Sequence, residues 1–333
     1  MIKPYAIGVD FGGTNLRVAL VKQLKTATRG LRVVAKTGCS TRRLKNPRTF
    51  VSEVVDLAER LIREARLEKS KIAGVGVGVP GPVDVEKGLV FFLPNVPGWN
   101  KVALRQELKK RIGLPVYVDN DANVMALGEF AFGAARGARN ALFLTLGTGL
   151  GGGLLINGSL VRGGTFSAGE IGHMRYRPGG TPCACGSRGC IDTELGRQYL
   201  ERKVKHALRQ GVSTVLKKMI RRSPDHELHL SMLTQAARGG DRYALRFWET
   251  TGKILGDFLA GICNLLNPEV IVIGGGVAQA GRFLLDPARS ELRRNAFPQA
   301  SDAVRMVRAK YGIDAGIIGA SSLVLVSSVN SSK

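Results

Sequence analysis

Residues 5–21 read YAIGVDFGGTNLRVALV, and residues 140–158 read NALFLTLGTGLGGGLLING. Each stretch is an apolar run, a Gly/Thr turn and a second apolar run, the pattern of two strands joined at a glycine bend. A dinucleotide-binding fingerprint would put a helix after the turn and an acidic residue about 20 positions on. After Asp10 the next carboxylate is Glu53, which is too far away. A P-loop would close on Gly-Lys-Ser/Thr before a helix, and neither turn does so. Glycine lets backbone N–H groups come close to an anion, and a Thr hydroxyl beside it adds a donor. A matched pair of such turns can grip a polyphosphate chain from two sides, and the repetition predicts two similar lobes with a cleft between them.

The remainder alternates strand and helix. EVVDLAERLIREARLE, VALRQELKKRIG and ANVMALGEFAFG have helical apolar spacing, whereas IAGVGVGVPG and PVYVDN read as buried strands. DRYALRFWETTGKILGDFLAGICNLLNP predicts a long helix ending before Pro268, followed by a strand EVIVIGGG that stops at Gly274, Gly275 and Gly276. Residues 200–240 are polar and helical with one expected loop near Ser223 and Pro224. The fold class is α/β.

With 333 residues and 44% hydrophobic content, the chain can bury a large core and is expected to form two domains. No run of 18 apolar residues occurs, and the N-terminus MIKPYAIGVDFGG enters a strand pattern directly. A membrane-spanning helix and a secretory leader are therefore not expected, and a cytoplasmic location is. The net charge of +23 favours polyanionic partners without naming one. The basic residues are dispersed through LKKRIG, KKMIRR and ELRRNAF, which reads as a solvated basic surface.

In VYVDNDAN a strand delivers Asp119, Asn120, Asp121 and Asn123 to the start of a helix, and α/β ligand sites lie beyond the carboxyl ends of strands. One such residue would serve as a helix cap; four together point to a site in which a carboxylate can accept a hydroxyl proton. Of the five cysteines, Cys39 and Cys263 are isolated and the other three fall in CACGSRGC, residues 183–190. Cys183, Cys185 and Cys190 with His173 supply three thiolates and an imidazole, which suits a closed structural zinc site. A disulfide and a redox-active thiol beside Arg188 are the competing readings.

Taken in order, VDFGGTNLRVALV, GVGVPGPVD, PNVPGW, VDNDANVMALGE, LTLGTGLGGGLLING, GEIGHM, CACGSRGC and VIGGGV resemble the ROK family of sugar kinases, most closely its bacterial-type glucokinases. The resemblance runs from residue 5 to about residue 325. It implies the actin-like, hexokinase-type fold of two α/β lobes around a cleft. The expected lobes are residues 1–119 with 313–333, and residues 120–312 carrying the zinc loop. It implies an ATP:hexose 6-phosphotransferase using Mg·ATP, with glucose the leading substrate and structural Zn2+.

Residue by residue, the resemblance makes Asp121 the general base. Gly12, Gly13, Thr14, Asn15, Gly147, Thr148 and Gly149 become phosphate contacts, and Gly274, Gly275 and Gly276 adenosine-side contacts. Gly81, Asn95, Asn120, Asp121, Glu170, His173 and Asp192 become sugar contacts, with His173 shared between sugar and metal. The family usually has Glu where this chain has Asp192, so the shorter carboxylate must draw the loop inward or use a bridging water. A homodimer is expected, with neither a membrane nor a specific nucleic acid as partner. The alternatives are an N-acetylmannosamine, N-acetylglucosamine or fructose kinase, a polyphosphate-dependent glucokinase, and a sugar-responsive regulator. The regulators carry a helix-turn-helix region before the core, whereas here the first strand is expected near Tyr5.

Overall fold

The computed structural model describes residues 3–24, 30–44, 46–93, 96 and 98–330. The chain opens with β1 (Tyr5–Phe11), β2 (Asn15–Gln23), β3 (Leu31–Ser40), α1 (Pro47–Glu64) and β4 (Ile72–Val79). Next come β5 (Val83–Asp84), β6 (Leu89–Phe92), β7 (Asn100–Val102), α2 (Leu104–Ile112), β8 (Val116–Asn120) and α3 (Asp121–Phe132). The middle carries β9 (Ala141–Leu146), β10 (Leu150–Ile156), β11 (Ser159–Val161), α4 (Asp192–Leu195), α5 (Arg197–Arg209), α6 (Leu216–Arg222), α7 (Leu230–Arg238) and α8 (Arg242–Leu266). The last part is β12 (Val270–Gly274), α9 (Arg282–Asn295), α10 (Pro298–Ala303), β13 (Arg305–Arg308) and α11 (Ala315–Asn330).

Two units divide the chain: Met1–Arg139, Gly153–Gly169 and Ala309–Lys333 form one, and Asn140–Gly152 with Glu170–Arg308 form the other. This division differs from lobes changing at 119/120 and 312/313: α3 stays with the first unit, Gly153–Gly169 joins it, and the last change falls after Arg308. The reason is packing. A Cβ on Gly128 of α3 would lie 3.0 Å from the Gly319 backbone of α11, so the two helices cross with nothing between them. The buried Glu129 carboxylate then accepts the N–H groups of Ala134 (2.8 Å) and Tyr311 (3.1 Å), which fixes the segments flanking the crossing.

The first unit is built on a five-stranded sheet ordered β3-β2-β1-β4-β8. β1 and β2 form the expected antiparallel hairpin, with Asp10 opposite Arg17 and Phe11 opposite Leu16. β4 runs parallel to β1 and β8 parallel to β4. The two-residue period of a strand sorts side chains between faces. Ile7, Val9 and Phe11 join a core with Phe50, Leu61 and Leu108 of α1 and α2, while Ala6 joins one with Ile317 and Leu325 of α11. On the α11 face the small residues are obligatory, since a Cβ on Gly76 would sit 1.8 Å from the Ala320 carbonyl oxygen. The start of α1 is fixed by a capping box between Asn46 and Thr49 with Pro47 in the first turn.

In the second unit β12 pairs in parallel with β9 on one side and β13 on the other, Gly274 lying opposite Thr145. The long helix expected before Pro268 is α8, which buries Trp248, Leu255 and Leu259 and ends on Asn267 in the left-handed conformation. The 200–240 segment folds as α5, α6 and α7 with two breaks rather than one. The additional break follows Gln210, where Gly211 takes φ +83°. Among the described residues no helix is long and apolar enough to cross a membrane.

Candidate active site

In the first unit the hairpin turn is closed by the Gly12 N–H donating to the Asn15 carbonyl at 3.0 Å. The end of β3 holds it from outside: the Thr41 N–H donates to the Thr14 carbonyl (3.0 Å) and the Thr41 hydroxyl to the Gly13 carbonyl (3.1 Å). Gly13, Thr14 and Asn15 are exposed, and among the described residues nothing beyond its chain neighbours lies within 4 Å of where a Cβ of Gly13 would stand. The turn is thus braced from behind and open in front.

At the foot of the turn is Asp10, buried in β1. Burial pushes its carboxyl up to about 6 against the opposing pull of Arg17. The start of α11 sits directly on it, since a Cβ on Gly316 would lie 2.3 Å from its carboxylate. Asp10 was not among the residues singled out from the sequence. The signal was its isolation, because a buried strand ending at a Gly/Thr turn carries one acid and the next is Glu53.

The DNDAN stretch spans the end of β8 and the first turn of α3. The Asn120 side chain caps α3, accepting from the Ala122 N–H at 2.9 Å and the Asn123 N–H at 3.2 Å. Its amide nitrogen donates to the Gly81 carbonyl at 3.2 Å, which brings two expected sugar contacts together. Asp121 follows as the first residue of α3, half-buried, with one carboxylate oxygen 2.8 Å from the Ala122 nitrogen. A carboxylate there stands at the positive end of the helix dipole.

Asp119 serves a different purpose. It is 1% exposed, and Arg162 grips its Oδ2 from two nitrogens, Nε at 3.0 Å and an Nη at 2.6 Å. Its Oδ1 accepts the Asn120 N–H at 2.8 Å. The pair therefore clamps the strand end that carries Asn120 and Asp121. Arg162 had no signal in the sequence, being one arginine in a Gly-rich stretch 43 positions away. Asn95, the remaining sugar contact expected from this half, lies outside the described residues.

In the second unit, Gly147, Thr148 and Gly149 form the turn between β9 and β10, closed by the Gly147 N–H on the Gly149 carbonyl at 2.9 Å. Thr148 is exposed. Gly274 to Gly276 end β12 beside it, with Gly275 packed on the Leu146 backbone. Two glycine segments far apart in sequence thus share the carboxyl ends of neighbouring parallel strands, where α/β folds hold ligands.

The cysteine loop gathers its four side chains. The donor atoms of His173, Cys183, Cys185 and Cys190 all lie within 4.8 Å of one another. The Cys185 and Cys190 sulfurs are 3.7 Å apart, as are the Cys183 sulfur and His173 Nδ1. A disulfide needs sulfurs about 2 Å apart, whereas two thiolates on one tetrahedral zinc stand about 3.8 Å apart, given Zn–S bonds of about 2.3 Å. The donor set and its spacing fit zinc. Burial pushes the Cys183 thiol up to about 12 and raises that of Cys190, while the Ser187 N–H lowers Cys185. A bound cation would overcome the penalty of ionising the buried pair.

The loop is pinned at its edges. The Tyr176 hydroxyl donates to Asp257 of α8 at 2.9 Å, and burial with that bond pushes the phenol up to about 12. Glu194 takes Arg177 and Lys203 as ion partners. His173 turns Nε2 toward Glu170, 4.0 Å away, and both side chains are exposed. Asp192 behaves differently: it is 5% exposed, and its Oδ1 accepts the Leu150 N–H at 2.7 Å. Burial raises its carboxyl, opposed by that bond and by His173. The shorter acid thus turns toward the 147–150 turn.

The ROK family pattern matches residues 6–326. The glucokinase of Thermotoga maritima is 36% identical over 331 residues, covering 97% of this chain and 98% of its own. That of Halalkalibacterium halodurans is 35% identical, covering 96% and 94%. The crystal structure of a ROK family glucokinase from Streptomyces griseus with glucose and AMPPNP superposes with a TM-score of 0.80 at 31% identity, covering 96% of this chain and 98% of that one. The fold is the actin-like, hexokinase-type α/β fold. With the family pattern matched from residue 6 to residue 326 and two glucokinases 35% and 36% identical over nearly the whole length, this chain belongs to the ROK family.

Proposed function

We propose that this chain is an ATP-dependent glucokinase that moves the γ-phosphoryl group of Mg·ATP to the 6-hydroxyl of glucose. The observation that carries the reading is Asp121, a carboxylate at the carboxyl end of a parallel strand and the start of a helix, held by a capping asparagine and a buried ion pair. In this reading the Asp121 carboxylate takes the proton of the sugar hydroxyl while its oxygen forms the new bond to phosphorus. The bond from phosphorus to the β–γ bridging oxygen breaks, and ADP leaves with the electron pair.

Positioning and charge supply most of such a reaction. Each Gly/Thr turn is read within its own unit as a phosphate contact: Gly12, Gly13, Thr14 and Asn15 form one and Gly147, Thr148 and Gly149 the other, each offering its Thr hydroxyl, with the Gly12 and Gly147 N–H groups kept for closing the turns. Gly274 to Gly276 border the nucleoside. Asp10, the acid at the foot of the first turn, would face the nucleotide's Mg2+. Gly81, Asn120, Glu170 and His173 contact the sugar, and Asn95 joins them. His173, Cys183, Cys185 and Cys190 would hold zinc, which would cross-link the loop, and His173 is the residue that would serve both metal and sugar. The enzyme works as a cytoplasmic homodimer of carbohydrate catabolism without a specific nucleic-acid partner; sedimentation and a salt-titrated gel shift test those two points.

The direct experiment is ADP release from Mg·ATP on addition of glucose, repeated with Asp121→Asn. That variant should retain glucose binding and lose at least about 100-fold in kcat; turnover near the parent's would remove Asp121 from its role.

A further inference from the structure

Two residues beyond Cys190 the chain makes the single turn α4, and both ends of that turn reach the phosphate turn. At one end the Asp192 carboxylate accepts the Leu150 N–H at 2.7 Å; at the other the Arg197 N–H donates to the Gly147 carbonyl at 3.0 Å. Asp192 is walled in as well as bonded. A Cβ on Gly149 would lie 3.0 Å from its Oδ1, and one on Gly196 would lie 2.9 Å from the same oxygen. Oδ1 is thereby committed to the turn.

We propose that Asp192 is a positioning residue for the phosphate turn rather than a sugar contact, so that the cysteine loop, α4 and residues 147–150 move as one block. The physical need is plain. A turn of Gly-Thr-Gly has wide backbone freedom, and holding its N–H groups ready for phosphate costs entropy unless something outside fixes it. A carboxylate accepting a buried backbone N–H is a strong fixed point, and here it is covalently continuous with a zinc ligand. Loss of the metal would therefore be felt at the nucleotide as well as at the sugar. The proposal rests on reading Thr148 and its flanking glycines as phosphate contacts of a sugar kinase.

Binding rather than turnover tests it. Calorimetry on the zinc-loaded protein would give Kd for a non-hydrolysable ATP analogue with Mg2+, and separately for glucose, in Asp192→Ala and Asp192→Asn. In Asp192→Ala nucleotide affinity should fall about tenfold, the effect of orphaning a buried N–H, with glucose affinity within about twofold of the parent. The Asn oxygen still accepts the Leu150 N–H, so Asp192→Asn should recover nucleotide affinity to within about threefold. Glucose affinity falling in both variants while nucleotide affinity holds would overturn the proposal and restore Asp192 to the sugar. Should the Ala variant not fold, Asp192→Asn decides alone: parent-like Kd values support the proposal, and weakened glucose binding overturns it. Absence of phosphoryl transfer in the parent would instead sink the kinase reading, which these binding constants do not measure.

Discussion

Asp10 is an acid whose burial works against its charge, and the consequence has a definite sign. Its carboxyl is raised from the ordinary 3.8 to about 6, so the folded chain holds that proton more tightly than the unfolded one. The stabilisation this confers is fully present below about pH 3.8 and is lost as pH rises through about 6, a swing of about 3 kcal/mol. Urea unfolding of the parent and of Asp10→Asn across pH 4 to 7 measures it: the parent should lose stability relative to the variant as pH rises. Arg162 gives the opposite kind of test, since its partner Asp119 is almost fully enclosed. Arg162→Ala should cost about 3–5 kcal/mol by leaving a buried carboxylate without its ion. It should also lower kcat more than KM, because Asn120 and Asp121 stand on the strand end it secures. A loss below about 1 kcal/mol would show that the pair adds little.

Among the elements, the cysteine loop was the most legible in the sequence and the two Gly/Thr turns nearly so. Three thiols and a histidine within 18 residues have few other uses, and the structure gathers all four. Both Gly/Thr turns were found from their flanking apolar runs, because strand alternation and glycine bends are local properties. What could not be read was long-range. Nothing near Arg162 announces Asp119, and nothing in CIDTELG says that the Asp192 carboxylate will accept the Leu150 N–H. The break near Ser223 and Pro224 was expected, whereas the one after Gln210 escaped notice because the polar helices on either side share one composition. For the loop itself, metal analysis should return about one zinc per chain. Dialysis against a chelator should lower Tm by about 5 °C or more; a metal-free protein of unchanged Tm would remove zinc from its structural role.

For the molecule as a whole, the division into two units was visible in the repeated hairpin, but its boundaries were not. They follow from how α3, α11 and the Glu129 carboxylate pack, and packing partners lie far apart in sequence. The charge of +23 adds affinity for polyanions in general and calls for matched ionic strength in every nucleotide measurement. Substrate choice is where the central claim is most exposed, because sugar kinases of one fold differ only in a few contacts. The most direct measurement is kcat/KM for ADP release with Mg·ATP over glucose, mannose, fructose, N-acetylglucosamine and N-acetylmannosamine, with the phosphorylated product identified by NMR. The account predicts glucose as the best substrate by about tenfold or more, with phosphate on its 6-oxygen. Preference for an N-acetylhexosamine, or no turnover with any hexose, would contradict it.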